Sequence, residues 1–586
     1  MRVAAVAASG GLSAAQRGAS GAQRAGSASR VDIRALWSRV AGSASYVGIG
    51  GGSSNGNGSG SGISGRRALS VACSAAPGFG AAGASEGTGP RVCILGGGFG
   101  GLYTAVKLES LIWPRGTKPR VTLIDQSDRF VFKPLLYELL SGAASEEEVA
   151  PPFAQLLAPY PVTFVQGRVA SVQPEHTTQD GGSTGGGTVV LADGGSVPYD
   201  WLVVSLGAET STYGVPGVKE NALPFATFQD AQRVNERLSL LEQRVEYPEV
   251  VVVGGGYAGV ELAAVVAERL RGRARIKLIT STDDILPQSP QGNRETARLA
   301  LQDKGISILT DAQVMELRRA GVPSSASSGE EASSSGYSSG SSSSGYGSGR
   351  GEDLSKRLVY LRDREGQQEI LEADIVLWSA GQAPVTKSPA ADPQHQIALP
   401  FGTNARGAMQ TDATLRVLRH QRVFALGDVA VSSGGREQPS LPATAQVAFQ
   451  QADYVAWNLW AAINNKPLLS FSYQHLGDMM SLGSTSGAVT LPIPVPPPLS
   501  AVAQSNGPLG QLLRVAGVKL SGSYGGSSDG VTLEGPLAAA VRRAAYLYRQ
   551  PTLEQQLRVA GGWAQAASKG LREVLAEAAG RGAAQR

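Results

Sequence analysis

The chain has 586 residues, of which 42% are hydrophobic and 17% charged, and a formal net charge of +4. Residues 1–88 carry eight arginines against only Asp32 and Glu86, so the remainder holds 44 basic and 46 acidic of the chain's 52 and 48; the positive balance gives no ground for nucleic-acid binding. Cys73 and Cys93 are the only cysteines, and His176, His395, His420 and His475 show no ligand spacing, which excludes a disulfide framework and a cysteine-rich metal site; no run of about 18 apolar residues is present to span a bilayer.

Residues 1–88, rich in Ala, Ser, Gly and Arg, read as a transit peptide, with Arg66 to Ser74 resembling a plastid-type cleavage region and mitochondrial import as the competing address. From Arg91 the pattern is βαβ. A strand ending at Leu95 meets Gly96-x-Gly98-x-x-Gly101, a helix runs to about Leu111, and a second strand, Arg120 to Asp125, ends in an acid. In this arrangement the first Gly turns the chain, the second admits a pyrophosphate, and the third lets helix pack on strand; Asp125 stands where a carboxylate accepts the ribose hydroxyls of an adenosine. Alternating segments follow at 162–165, 168–172 and 188–191, with Gly181 to Gly187 expected as a flexible hairpin tip. A buried strand from Tyr199 then ends at Gly207, where a glycine lets backbone pass close to a ligand.

A helix over 229–246 leads to the second fingerprint, Gly254-x-Gly256-x-x-Gly259 after Val250 to Val253, with its own second strand Arg275 to Thr280. A Ser/Gly stretch, 323–351, reads as a disordered insertion. The strand from Ala373 to Gly381 nearly copies the one ending at Gly207, so the chain is expected to hold two similar units, the second inserted in the first. Beyond it, Val423 to Ala425 delivers Gly427 and Asp428, a helix covers 442–459, and 491–530 reads as a polyproline-like surface loop. The expected domains are a leader (1–88), a first dinucleotide unit in two parts (89–228 and 395–470), a second unit (229–394) and a C-terminal region (471–586). Two such cradles imply a flavin in one and a nicotinamide nucleotide in the other.

These residues resemble the type II NAD(P)H:quinone oxidoreductases, above all the plastid members that reduce prenylquinones. The likeness is carried by Gly96-Gly-Gly-Phe-Gly-Gly-Leu, Phe132-Lys-Pro-Leu-Leu-Tyr-Glu138, Tyr199-Asp-Trp-Leu-Val, Gly254-Gly-Gly-Tyr-Ala-Gly-Val-Glu-Leu-Ala, Leu377-Trp-Ser-Ala-Gly, Ala425-Leu-Gly-Asp and Pro442-Ala-Thr-Ala-Gln-Val-Ala-Phe-Gln. The resemblance implies an α/β fold of two Rossmann-like domains. It places FAD on Gly96, Gly98, Phe99, Gly100, Gly101, Asp125, Gly207, Gly427 and Asp428, and NADH or NADPH on Gly254, Gly256, Gly259, Glu261, Thr280 and Gly381. Gln446 and Gln450, four apart on one helix face, would border the flavin and a prenylquinone. Thr280 stands where an acid would select NADH, so NADPH is expected to be accepted.

The chemistry needs no thiol, and Cys93, inside an apolar strand, reads as a structural residue, which sets aside disulfide and sulfide reductases of the same fold. A flavin-binding redox signalling protein and a reductase of a protein acceptor such as ferredoxin are the alternative readings. The stretch 535–549, with Leu537, Val541, Ala545 and Tyr548 at helical spacing and Arg542, Arg543 and Arg549 beside them, continued by 553–577, is expected to lie in a membrane interface. Packing on the body or at a homodimer interface is the alternative. The expected setting is a peripheral one, on the thylakoid surface or a plastoglobule, with a mitochondrial location also possible.

Overall fold

The computed structural model describes residues 89–321, 354–387, 397, 399–432, 441–493, 505, 507–520, 530–566 and 568. The leader, Cys73, the 323–351 insertion, His395, much of 491–530 and the stretch after 568 lie outside the described residues. All that follows concerns the unit Ala84–Arg586.

Two parallel five-stranded sheets organise the described chain. The first runs in the order Val423–Ala425, Trp201–Val204, Arg91–Leu95, Arg120–Asp125, Val162–Gln166. The second runs Ile306–Leu309, Arg275–Ile279, Glu249–Val253, Ile375–Trp378, Leu223–Pro224. Strands in such sheets are covered on both faces and therefore read as unbroken apolar runs; Val92 to Leu95 and Val250 to Val253 are all buried. The strand Val423–Ala425, far along the chain, pairs with Trp201–Val204, so the second sheet is inserted in the first. Each sheet is accompanied by a three-stranded antiparallel layer, one of Val169–Pro174, Gly187–Leu191 and Ser196–Tyr199, the other of Gln313–Arg319, Arg357–Arg362 and Gln368–Ala373. Among the helices, α1 (Phe99–Ser110), α2 (Tyr257–Leu270) and α3 (Ala445–Ile463) frame the site.

The glycine-rich stretch 181–187 is not a loose tip. Gly182, Ser183, Gly185, Gly186 and Gly187 are buried, and a Cβ on Gly186 would stand 2.1 Å from the Tyr199 carbonyl oxygen. Ser183 Oγ bonds His420 Nδ1 at 2.9 Å, and its backbone pairs with Arg419 and Gln421. Here glycine serves close approach rather than flexibility.

The C-terminal region also differs from the expectation of a helical membrane segment. Its described part is built on a four-stranded antiparallel sheet in the order Asp478–Ser481, Gly487–Leu491, Val531–Glu534, Val518–Leu520. Two of these strands, and helix α4 (Pro508–Val515), come from within or at the edge of the stretch read as a surface loop. The sheet docks on the helix Gln291–Asp303 through buried side chains: Thr490 Oγ1 lies 2.8 Å from Asn293 Oδ1 and 2.9 Å from Thr532 Oγ1. Helix α5 (Gly535–Tyr548) follows, and residues 553–566 are helical.

Arg542 on α5 does not meet lipid. It is 0% exposed, and its Nη2 donates to Glu138 Oε1 at 2.9 Å, with Glu138 2% exposed. Its guanidinium lies 5.3 Å from the Tyr546 ring centroid, while its Nε and Nη1 find no hydrogen-bond partner among the described residues. A buried charge holds this position only when its counter-charge is supplied by the fold, and Glu138 supplies it from a segment some four hundred residues earlier. Among the described residues no helix is long and apolar enough to cross a membrane.

Candidate active site

The two glycine turns share the same backbone frame. Gly96 N donates to Ile124 O and Gly254 N to Ile279 O, both at 2.8 Å. Both first glycines have positive φ, +92° and +120°, a region open to glycine at little cost. A Cβ on the third glycine, Gly101 or Gly259, would stand 1.8 Å from the carbonyl oxygen of the first. Ser205 Oγ donates to Leu95 O at 2.8 Å, and Ser379 Oγ to Val253 O at 2.9 Å. Ser379 lies in a quoted motif and Ser205 in the strand that ends at Gly207, but their role in bracing the turns is visible only in the repeated geometry. Gly207 and Gly381 follow each at φ +72° and +76°.

The middle glycines behave differently. A Cβ on Gly98 or Gly256 would meet nothing within 4 Å, and their backbones are extended with negative φ. The protein itself does not require glycine at either place. Each sits at the N-cap of a helix, without a side-chain cap, where amide N–H groups and the helix dipole favour an anion. Space left bare at a helix N-terminus fits a pyrophosphate lying against the backbone.

Asp125 and Thr280 occupy equivalent places, one residue past the last register pair of each second strand. Asp125 Oδ2 accepts from Gly97 N at 2.6 Å and Oδ1 from Ser127 N at 2.8 Å. Burial nevertheless raises its pKa, the amides working against that rise. A carboxylate has about four acceptor positions, so ribose hydroxyls can still be taken up. Thr280 is buried against Gly255, and its hydroxyl lies 2.8 Å from Thr282 Oγ1.

Phe99 packs its ring into a cluster with Phe130, Phe132 and Phe449 at centroid distances of 5.3, 5.4 and 4.9 Å. Gly100 packs against Leu426 and Ser205. Gly427, with φ +73°, donates its N–H to Gln451 Oε1 at 2.7 Å. Gln451, buried on α3, is a site residue that attention to Gln446 and Gln450 overlooked; its place directly after that pair was the available signal. Burial raises the Asp428 carboxyl, and the Lys133 charge opposes the rise. Lys133 was likewise quoted only as part of a motif.

Gln446 and Gln450 share a face of α3, as their spacing predicts, and both clamp the segment 473–477. Gln446 accepts from the Tyr473 hydroxyl and from Leu476 N, and donates to Gly477 O at 3.2 Å. Gln450 exchanges two bonds with the backbone of Gln474, at 2.8 and 2.9 Å. Their first structural duty is thus to hold this segment against the helix.

Glu261, on α2, is buried and accepts from Ser481 N at 2.8 Å. Burial pushes its carboxyl up to about 7, with Ser481 N and the Arg542 charge pulling the other way. A carboxyl raised on folding stabilises the fold while protonated, and that contribution disappears as pH climbs from the ordinary carboxylate range through about 7. Denaturant midpoints of the wild type relative to Glu261→Gln should therefore fall between pH 5.5 and pH 8, roughly one pH unit or more to either side of that value; parallel midpoints across that span would contradict the burial of a titrating group. Cys93 is buried in the first strand, and burial pushes its thiol up to about 12, leaving no nucleophilic thiolate near neutral pH. Among the described residues no group of His, Cys, Asp and Glu is arranged to hold a metal ion.

Residues 90–452 match the family described as pyridine nucleotide-disulphide oxidoreductase. The chain is 43% identical over 485 residues to an alternative NAD(P)H-ubiquinone oxidoreductase of Arabidopsis thaliana, named as chloroplastic/mitochondrial, covering 81% of this chain and 80% of that protein. It is 37% identical over 475 residues to the demethylphylloquinone reductase NdbB of a Synechocystis strain, covering 81% and 95%. The chain belongs to the type II NAD(P)H:quinone oxidoreductases. The fold of this family is matched by the structure of NDH2 from Plasmodium falciparum in complex with NADH, with a TM-score of 0.57 at 16% identity over 82% of this chain and 98% of that one. Among the described residues the one thiol, Cys93, is sealed in a strand and offers no reactive sulfur for the disulfide chemistry in the wider family's name.

Proposed function

We propose that the protein is an FAD-dependent NAD(P)H:quinone oxidoreductase acting on a prenylquinone without pumping protons. The observation that carries this reading is the pair of equivalent cradles, each with a middle glycine that only a ligand needs, with no exposed thiol among the described residues. Bound FAD supplies the two-electron relay between a nicotinamide hydride and a quinone. The chain's own part is to bind, orient and exclude water. Gly96, Gly98 and Gly101 cradle one pyrophosphate and Asp125 its ribose, while Gly427 and Asp428 stand where the ribityl chain would pass. Gly254, Gly256 and Gly259 receive the nicotinamide nucleotide, with Glu261 further along α2. Purified protein should be yellow and should oxidise NADPH or NADH only with an acceptor, faster with a short-chain quinone than with ferredoxin. A preparation that stays colourless when supplied with FAD would overturn the reading.

Thr280 and Thr282 bring hydroxyls, not carboxylates, to the place where a 2′-phosphate would sit, so NADPH is accepted. Thr280→Glu should shift the ratio of kcat/KM values toward NADH by about tenfold or more, the weight of one misplaced charge; an unchanged ratio would remove this position as selector.

A plastid setting, on the thylakoid surface or a plastoglobule, is supported by the name of the Arabidopsis relative and by the arginine-rich N-terminal segment; import into mitochondria fits the same observations. Peripheral attachment is supported by Leu553 and Leu557, four apart on the 553–566 helix and 70% and 66% exposed. Arg542 plays no part in it.

A further inference from the structure

The segment clamped by Gln446 and Gln450 carries a titratable pair that the functions above do not use. His475 Nε2 lies 3.3 Å from Asp478 Oδ2, and the opposite ring nitrogen, Nδ1, lies 3.4 Å from the Tyr473 hydroxyl, which is itself bonded to Gln446. Asp478 also faces the hydroxyl of Tyr257, the first residue of α2 in the second cradle, which donates to Ser289 Oγ at 2.8 Å. The other side of the segment meets α3, whose Ala448, half a turn beyond Gln446, is the neighbour of Gly427. A line of polar groups thus joins the nicotinamide cradle to the helix that borders the flavin side, with an imidazole in its middle.

Quinone reduction leaves a proton to be found. The nicotinamide gives up one hydrogen together with an electron pair, whereas the quinol carries a hydrogen on each of two oxygens. We propose that His475 donates the second proton to a quinone bound beside Gln446. This inference rests on the quinone reductase reading. An O–H bond forms on the quinone oxygen as the imidazolium N–H bond breaks and its electron pair returns to the ring. The side chain is 46% exposed, so water restores the proton after each turnover. The titratable groups facing His475 are Tyr473 and Asp478. The helix packed on the segment presents uncharged Gln446 and Gln450, and Tyr257 reaches it only through Asp478. The Asp478 hydrogen bond raises the imidazole pKa above its ordinary value, against a smaller effect of burial, which favours the charged donor.

The test compares the full-length holoenzyme with His475→Gln and Asp478→Asn across roughly pH 5 to 9, using NADPH with a short-chain quinone or with ferricyanide, which takes electrons but no proton. Wild-type quinone turnover should decline as pH rises through a midpoint that the His475 ring resonance reproduces by NMR. In His475→Gln the quinone-to-ferricyanide ratio should fall about 100-fold, the usual weight of a general acid, and that decline with pH should vanish. In Asp478→Asn the midpoint should move to lower pH. An unchanged ratio and profile in His475→Gln, or equal losses with both acceptors, would overturn the assignment. A wild type that reduces ferricyanide but no quinone would refute the enzyme reading itself, a distinguishable failure.

Discussion

Replacing Arg542 by Met should cost the fold about 3–5 kcal/mol, the loss expected when one member of a buried ion pair is removed and the other stays behind. Glu138 would remain almost wholly enclosed, with only Arg543 Nη2, 3.9 Å from its second oxygen, as a distant counter-charge. The cost is that of stranding a carboxylate, not the net worth of the pair, so removing both charges should be far milder. Arg542→Met with Glu138→Leu should recover most of the stability, because matched apolar side chains of similar volume commonly replace buried ion pairs without loss. Denaturant midpoints of the two single variants and the double variant measure this directly. Single variants within about 1 kcal/mol of wild type, the scale of an exposed pair, would show that water reaches this site.

The second large effect separates two kinds of glycine. Gly101→Ala should destabilise the protein by more than about 3 kcal/mol, above the usual overpacking range, because the new methyl would stand 1.8 Å from a backbone oxygen that cannot move aside. Gly98→Val should cost the flavin-free protein only about 1 kcal/mol, the weight of a poorer N-cap residue at an otherwise open position. It should nevertheless release FAD on dilution, with affinity reduced on the order of 100-fold, about 2.7 kcal/mol. Flavin fluorescence on gel filtration reports retention, and calorimetry of the stripped protein reports stability. If Gly98→Val retained its flavin, the bare space at the N-terminus of α1 would have some use other than phosphate.

Much of this was open to a reading of the residues alone. Fingerprints announce themselves because three glycines at fixed spacing after a short apolar strand have one mechanical explanation, and the chain repeats it. The acid at Asp125 and the matching Thr280 follow from counting along the same units. What could not be read is whatever depends on a distant partner. Arg542 sits on a helix with the pattern of a surface element, and only the position of Glu138 makes its inward direction tolerable. The strands of the C-terminal sheet are short, at three to five residues, and pair across a stretch rich in Pro, Gly and Ser that locally favours loops. Glycine itself is ambiguous: at 181–187 it permits tight packing, yet the same letters spell a flexible tip. Gln446 and Gln450 were rightly placed on one face, but that face meets a segment whose nearness no periodicity encodes.

The buried thiol of Cys93 gives the molecule a built-in clock. It lies in the middle of the first sheet, hydrogen-bonded into strands on either side, and no local fraying exposes a central strand. In a variant whose Cys73 is replaced by serine, a thiol-specific dye can react only after that sheet has come apart. The labelling rate then counts openings of the flavin-side domain, and comparing it with and without FAD measures how far the ligand slows them.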